Sequence, residues 1–181
     1  MKGIIFNLTE EVVRNGHGED AWDAVLDGAG LDGSWTSLGD YSDAQMSKVV
    51  ASAAALLGVD EQVVLRTVGE GAMPLLAGRY PHFFSLHTDA MSFLLTLNDL
   101  IHPEVKKLYP GATPPDFGVE EVGVDAVILS YDSTRKLCAL AEGFLLGAAT
   151  HYGQSVEIHQ SECVLDGAAR CLIHCRFADA A

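Results

Sequence analysis

Apolar side chains recur at helical spacing through roughly the first hundred positions and become strand-like beyond residue 115. Ile4, Ile5, Leu8, Val12 and Val13 share one side of a helix that Asn15-Gly16 would stop. Trp22, Val25 and Leu26 give a second short helix from Glu19 to Asp27, and Gly28, Gly30 and Gly33 mark the loop after it. Ser42-x-x-Gln45 is a capping-box pattern ahead of Met46, Val49, Val50 and Ala53, with Gly58 as the stop. Asp60 is placed to cap a helix carrying Val63, Val64, Thr67 and Val68. Gly69, Gly71 and Pro74 within it predict a bend, with a hinge as the functional alternative. Asp89 opens a helix with Phe93, Leu94, Leu97, Leu100 and Ile101 on its apolar side. His102 follows, and Pro103 disfavours helical geometry in the residue before it. The pattern therefore predicts a corner at His102, with Pro103 starting a new turn.

Tyr109-Pro110-Gly111 ends the helical pattern, and Pro114-Pro115 stiffens the connection to two Val- and Ile-rich strands, 117–122 and 124–131, about Gly123. A long helix over 134–154 carries Leu137, Ala141, Phe144, Leu145 and Ala148 on one side, and its Gly143 and Gly147 allow another backbone to come close. Strands at 155–159 and 170–177 flank an Asp166-Gly167 turn. The expected class is α+β, with an N-terminal helical lobe followed by a lobe with an antiparallel sheet and a long helix. At 181 residues the chain is one domain with enough length for a real core.

Charge narrows the function. The formal net charge is −14, from 25 acids against 11 bases, so no basic stripe exists to replace nucleic-acid counterions, and anionic membranes are disfavoured. No apolar run reaches the roughly 18 residues of a membrane span, and the opening residues lack a signal-peptide pattern. A cytoplasmic protein is expected.

Against this acidic background, Tyr131, Ser133 and Arg135 stand out. At alternate positions, an extended backbone would project all three to one side, as a guanidinium fork and two hydroxyls suited to a carboxylate. The plain alternative is a strand end where Ser133 caps the next helix. A lone histidine such as His102 is also ordinary by itself. Together they suggest a cofactor with a metal at its centre and acids at its edge. His17, His82, His87, His151 and His174 have no comparable partner pattern.

All four cysteines, Cys138, Cys163, Cys171 and Cys175, fall late in the chain, which favours metal or redox chemistry over a disulfide framework. A three-residue loop at 166–168 would set Cys163 opposite Cys171, whereas a two-residue loop would send Cys171 to the other face. Cys138 could supply a third ligand. Cys175 lies about 13 Å along a regular strand from Cys171, too far for one tetrahedral ion, so His159 is favoured as the fourth. Buried reduced thiols in a strand core are the alternative.

One resemblance ties these features together. His102 with Glu104-Val105-x-x-Leu108, the Pro110-Gly111-x-x-Pro114-Pro115 segment, Tyr131-x-Ser133-x-Arg135 and the opening Met1-Lys2-Gly3-Ile4-Ile5-Phe6-Asn7 resemble the haem-nitric oxide/oxygen binding (H-NOX) domains over nearly the whole chain. The resemblance implies haem b between a distal lobe of about 1–65 and a proximal lobe of about 66–181. It makes His102 the axial ligand to iron and Tyr131, Ser133 and Arg135 the propionate ligands. Pro115 would press on the macrocycle, and Ile5 would line the distal side. Oxygen-binding relatives carry a distal tyrosine where this chain has Leu140, and supporting polar groups where it has Thr9 and Pro74. That implies a nitric oxide sensor, also open to carbon monoxide, that excludes oxygen and is not an enzyme. It would signal in trans to a histidine kinase or a cyclic-di-GMP enzyme. Some relatives also hold zinc near the C-terminus, with a histidine three residues before a cysteine; His159 stands four before Cys163. A cysteine and zinc redox sensor, with or without haem sensing, is the rival. A haem peroxidase is a weaker one, since no distal acid–base residue is assigned.

Overall fold

The computed structural model describes residues 1–180. Its first half is helical. Helix α1 (Gly3–His17) buries Ile4, Phe6, Leu8 and Thr9, and α2 (Glu19–Ala29) buries Trp22 and Val25. Helix α3 (Asp43–Leu57) ends on Gly58 at φ 66°, a left-handed geometry that glycine adopts without a Cβ penalty. The capping box before α3 does not form. Ser42 stands at the N-cap without a side-chain bond, and Gln45 instead accepts from the Trp35 indole N–H at 2.9 Å. The Asp60 cap does form, its carboxylate accepting from the Gln62 N–H at 2.8 Å at the start of α4 (Glu61–Arg79).

Helix α4 continues through Gly69, Gly71 and Pro74 without interruption. Pro74 is on its exposed side. Gly69 lies against the backbone of Leu140 and Phe144 in α8 (Cys138–His151). Gly143 in turn lies against Arg66 and Glu70, and a Cβ on Gly147 would come within 2.6 Å of the Glu70 carbonyl oxygen. Gly69 thus serves close helix packing, the role the sequence assigned only to the glycines of α8.

The segment expected to form one helix up to His102 is in pieces. Short helices α5 (Pro81–Phe84) and α6 (Ala90–Leu94) are followed by a π-helical turn at Leu97–Ile101, and then by α7 (His102–Leu108). Asp89 caps α6 as expected, accepting from the Ser92 N–H at 2.8 Å. Pro103 sits in the first turn of α7. Against the expected corner, His102 keeps helical geometry (φ −65°, ψ −36°), so the backbone passes from the π-turn into α7 without a break, and only the change of helical pitch falls there.

Strands β1 (Asp116–Val122), β2 (Ala126–Asp132), β3 (Gln154–Glu162) and β4 (Cys171–Asp179) form an antiparallel sheet ordered β1-β2-β4-β3. In β4, Cys171, Ile173, Cys175 and Phe177 alternate inward and are buried with Leu129 and Leu145 in the core shared with α8. Helix α8 begins four residues later than expected, because Lys136 takes a left-handed conformation (φ 55°) after the turn at 133–135. A second core gathers Phe6, Trp22, Met46, Val49 and Leu65 beneath Leu140. The architecture is α+β, as the pattern predicted. Among the described residues no helix is long and apolar enough to cross a membrane.

The packing of α4 on α8 makes a direct prediction. Gly143→Ala should destabilise the fold by about 1–3 kcal/mol, because backbone rather than a flexible side chain blocks the methyl. Gly78→Ala in α4, with nothing within 4 Å of the added carbon, should be neutral or stabilising by up to about 1 kcal/mol. Urea unfolding of the two variants checks the contrast.

Candidate functional site

Between the helices and the sheet lies a cavity of about 300 Å³. One wall comes from Ile4, Ile5 and Leu8 of α1, Met73 and Leu76 of α4, and Leu140, Ala141, Phe144 and Leu145 of α8. Every one of these is apolar. The facing wall holds Phe93, Leu97, Ile101 and His102, with Pro114, Pro115 and Phe117 alongside. At one end stand Tyr131, Ser133 and Arg135.

His102 is placed by the junction of two helical geometries. The π-turn widens the backbone at Leu97–Ile101, and His102 opens α7 at the cavity wall, its ring centroid 6.1 Å from that of Phe117. Its pKa is lowered from 6.5 to about 4, chiefly by burial and secondly by nearby Lys106, with Asp116 opposing them; no hydrogen bond contributes. The imidazole is therefore neutral near pH 7, the form that ligates a metal.

The polar end is built differently from the expected strand. Strand β2 stops at Asp132, and Ser133 to Arg135 lie in a turn, so strict alternation does not place the three side chains. The turn brings them to the same cavity nonetheless. Tyr131 is buried and its hydroxyl accepts from the Leu137 N–H at 3.2 Å. Ser133 Oγ accepts from the Arg135 N–H at 3.3 Å. Arg135 is braced by Nε on both Asp43 oxygens at 3.0 Å and by Nη1 on the Thr113 carbonyl at 2.9 Å and hydroxyl at 2.8 Å. Its Nη2 makes no hydrogen bond among the described residues and keeps two donors for an acid. Burial pushes the Asp43 carboxyl up, but Arg135 and the N-terminal ammonium, 3.0 Å away, outweigh it and hold the carboxyl below its usual range.

Thr9 and Pro74 do not form part of the cavity lining. The Thr9 hydroxyl donates to the Ile5 carbonyl at 2.8 Å, and Pro74 faces outward. Leu140, Ile5 and Pro115 do line it. Met73 and Leu76 were not singled out from the sequence, although their three-residue spacing puts them on one helix face.

The cysteines form a second cluster. Cys138 Sγ is 3.7 Å from Cys163 Sγ, which is 3.9 Å from Cys171 Sγ, and the three sulfurs lie within 4.8 Å of one another. The connection is neither of the two simple hairpin loops. A 3-10 turn at Val164–Asp166 ends on Gly167 at φ 94° and folds Cys163 back toward Cys171. Burial, then the neighbouring thiols, push the Cys138 pKa up to about 12. His159 does not join them. It pairs across β3 and β4 with His174, ring centroids 5.9 Å apart, while the adjacent register pair Ile158 and Cys175 sits on the cysteine side. Successive strand residues point to opposite faces, so His159 is turned away from the three sulfurs. Cys175 is buried two strand repeats beyond Cys171, past Ile173 on the same face, and also lies outside the cluster.

The haem-NO-binding family profile matches residues 2–160. The chain belongs to the haem-NO-binding, or H-NOX, family. An H-NOX protein from S. oneidensis, solved in the Fe(II)NO ligation state, is 31% identical over 99% of this chain and 100% of its own, with a TM-score of 0.91. An H-NOX domain from Shewanella oneidensis in the Fe(II)CO ligation state shares 31% identity over 98% of this chain and 99% of its own, with a TM-score of 0.88. Fe(II) unliganded H-NOX from K. algicida is 26% identical over 99% of this chain and 97% of its own, also at 0.88. No curated protein sequence matches. The chain is thus a haem-binding sensor domain and not an enzyme. Its residues fit the group: an apolar slot, a neutral imidazole on one wall and spare guanidinium donors at one end.

The buried imidazole also carries a pH signature. Above 6.5 its contribution to stability is fully present. As pH falls the unfolded chain takes up the proton first, and the contribution is lost as pH falls through about 4. His102→Leu in the haem-free chain should therefore lose less stability than the parent between those values. Urea midpoints across that range measure it, and parallel curves would contradict a neutral buried imidazole.

Proposed function

We propose that this H-NOX domain is a nitric oxide sensor that excludes oxygen and acts on a separate signalling protein. His102 would be the axial ligand of haem b, and Tyr131, Ser133 and Arg135 would hold the propionates, with Pro115 and Ile5 against the macrocycle. When bound, the haem supplies a ferrous centre that accepts a diatomic gas. His102, on losing its bond to iron, would free α7, and the altered surface would be read in trans. The family resemblance favours a histidine kinase or a cyclic-di-GMP enzyme as the reader.

The observation that carries the gas preference is the wall made by α1, α4 and α8, whose lining side chains are apolar, Leu140 included, while the two phenols that also line the cavity, Tyr80 and Tyr109, are bonded to each other. Bound oxygen has a partly anionic outer atom that gains from a hydrogen-bond donor, and nitric oxide and carbon monoxide gain far less. A charge-assisted bond is worth roughly 1.5–3 kcal/mol, or about ten- to a hundredfold in affinity. The nitric oxide and carbon monoxide ligation states of the Shewanella relatives agree with this preference. Absorption spectra of the ferrous protein should show a haem band that moves with nitric oxide and with carbon monoxide and does not change to a stable oxy form in air. A stable oxy complex would refute the exclusion of oxygen.

A second reading rests on the three sulfurs. Tetrahedral zinc with bonds of about 2.3 Å holds its sulfurs about 3.8 Å apart, and the observed 3.7 and 3.9 Å match that separation. Cys138, Cys163 and Cys171 would bind zinc, with a position left for a ligand other than His159 or Cys175. Oxidation would release the ion or form a disulfide, so that the domain also reports redox state. Protein purified without added metal should contain about one zinc per chain, lost in Cys163→Ser with haem content unchanged. Zinc-free parent protein would leave three reduced thiols, those of Cys138 and Cys171 buried and that of Cys163 half-buried.

A further inference from the structure

Helix α7 carries His102, yet none of its seven residues is fully buried. Its firm attachment comes just past its end. Tyr109, the C-cap, is 7% exposed and packs with Ile4, Leu8 and Ala72 of α1 and α4. Its hydroxyl is hydrogen-bonded to that of Tyr80, the C-cap of α4. The bond closes the whole excursion from Pro81 to Leu108, which contains α5, α6, the π-turn and α7.

A polar pair in this place needs a reason. Both tyrosines line the same cavity as His102, and apolar residues of similar size would pack there without a buried hydroxyl to satisfy. Among the described residues each hydroxyl makes its one side-chain bond to the other. Burial, then the bond to Tyr80, push the Tyr109 pKa well up, so that phenol stays protonated and neutral at any physiological pH.

We propose that the Tyr80–Tyr109 hydroxyl pair is a latch that ties the helix bearing His102 to the end of α4 and sets how readily that helix leaves the cavity wall. The inference rests on the reading of His102 as axial ligand. While the latch is closed, α7 is held at Tyr109 and at His102 together. When His102 lets go, the hydroxyl pair is the remaining polar restraint, and its strength decides how far the helix moves. The tyrosines touch no gas in this scheme; they are positioning residues.

The test compares Tyr80→Phe, Tyr109→Phe and the double variant with the parent, all loaded with haem. Each substitution keeps the ring and removes one hydroxyl. Amide hydrogen exchange of residues 104–109 should speed up about fivefold in either single variant, as expected for one lost hydrogen bond, and the double variant should go no further. The ferrous nitric oxide complex should shift toward the five-coordinate form in its absorption spectrum, and the iron–histidine stretching band of the unliganded ferrous protein should move in resonance Raman spectra. Unchanged exchange in both single variants overturns the latch. So does a double variant whose acceleration is the product of the two singles. A failure of the axial-ligand reading looks different, because His102→Gly would then keep the parent's iron–histidine band, while exchange at 104–109 would still respond to Tyr80→Phe.

Discussion

Helices α4 and α8 meet backbone to backbone, and the site is arranged around that contact. Gly69, Gly143 and Gly147 remove the side chains that would separate them. The two helices then present Met73, Leu76, Leu140, Ala141 and Phe144 as one continuous apolar wall. The same contact places Glu142 inside the protein at 5% exposure, where it accepts from Arg66 of α4 and Gln160 of β3. A buried carboxylate is tolerated only when paired. Arg66 is itself 43% exposed, so the pair is partly screened by water and orients the elements more than it stabilises them. Glu142 thereby joins the first helical layer to the sheet one turn along α8 from Cys138.

Much of this was legible in the chain, and the exceptions share a physical cause. Helix starts at Asp60 and Asp89, the stop at Gly58 and the order of helices before strands follow from local chemistry, which short-range patterns report well. The close approach at Gly69 was not read from the sequence, because glycine marks either a bend or a close approach and only the partner helix shows the second. Tyr131, Ser133 and Arg135 reached the same cavity by a turn and not by an extended strand, so a correct grouping came from an incorrect geometry. His159 failed for a related reason. Its face depends on strand register, and the bulge between Gln160 and Glu162 with the 3-10 turn after Cys163 shifts that register in a way no spacing rule contains. The triad of Cys138, Cys163 and Cys171 survived because the knuckle, unlike the strand, folds back on itself.

The electrostatics of the cavity are graded from end to end. His102 sits where burial makes charge costly and stays neutral, which suits a metal ligand. Arg135 sits where Asp43 and Thr113 fix its Nε and Nη1, leaving Nη2 to aim at an incoming acid. The bracing carboxylate lowers the net positive charge of that end while orienting the guanidinium, so an acid is selected by direction as much as by charge. In a chain of net charge −14, with acids across its surface, a guanidinium already engaged on two sides is protected from competing side chains.

Rigidity is distributed in the same graded way, and that distribution is what a sensor needs. Ala139, Leu140, Leu145 and Ala148 of α8 are buried, and the wall that this helix gives the cavity is part of the core. On the opposite wall, α7 has no fully buried residue and follows a π-turn, a geometry with weaker backbone constraints. Local stability in a folded chain follows buried contact, so the α8 wall should hold its shape more firmly than α7. Had the arrangement been reversed, with a loose wall and a locked His102, a gas could bind without changing any surface. Under the proposed reading of His102, a single cavity with one rigid and one yielding side is suited to converting a ligand a few atoms in size into movement of a helix.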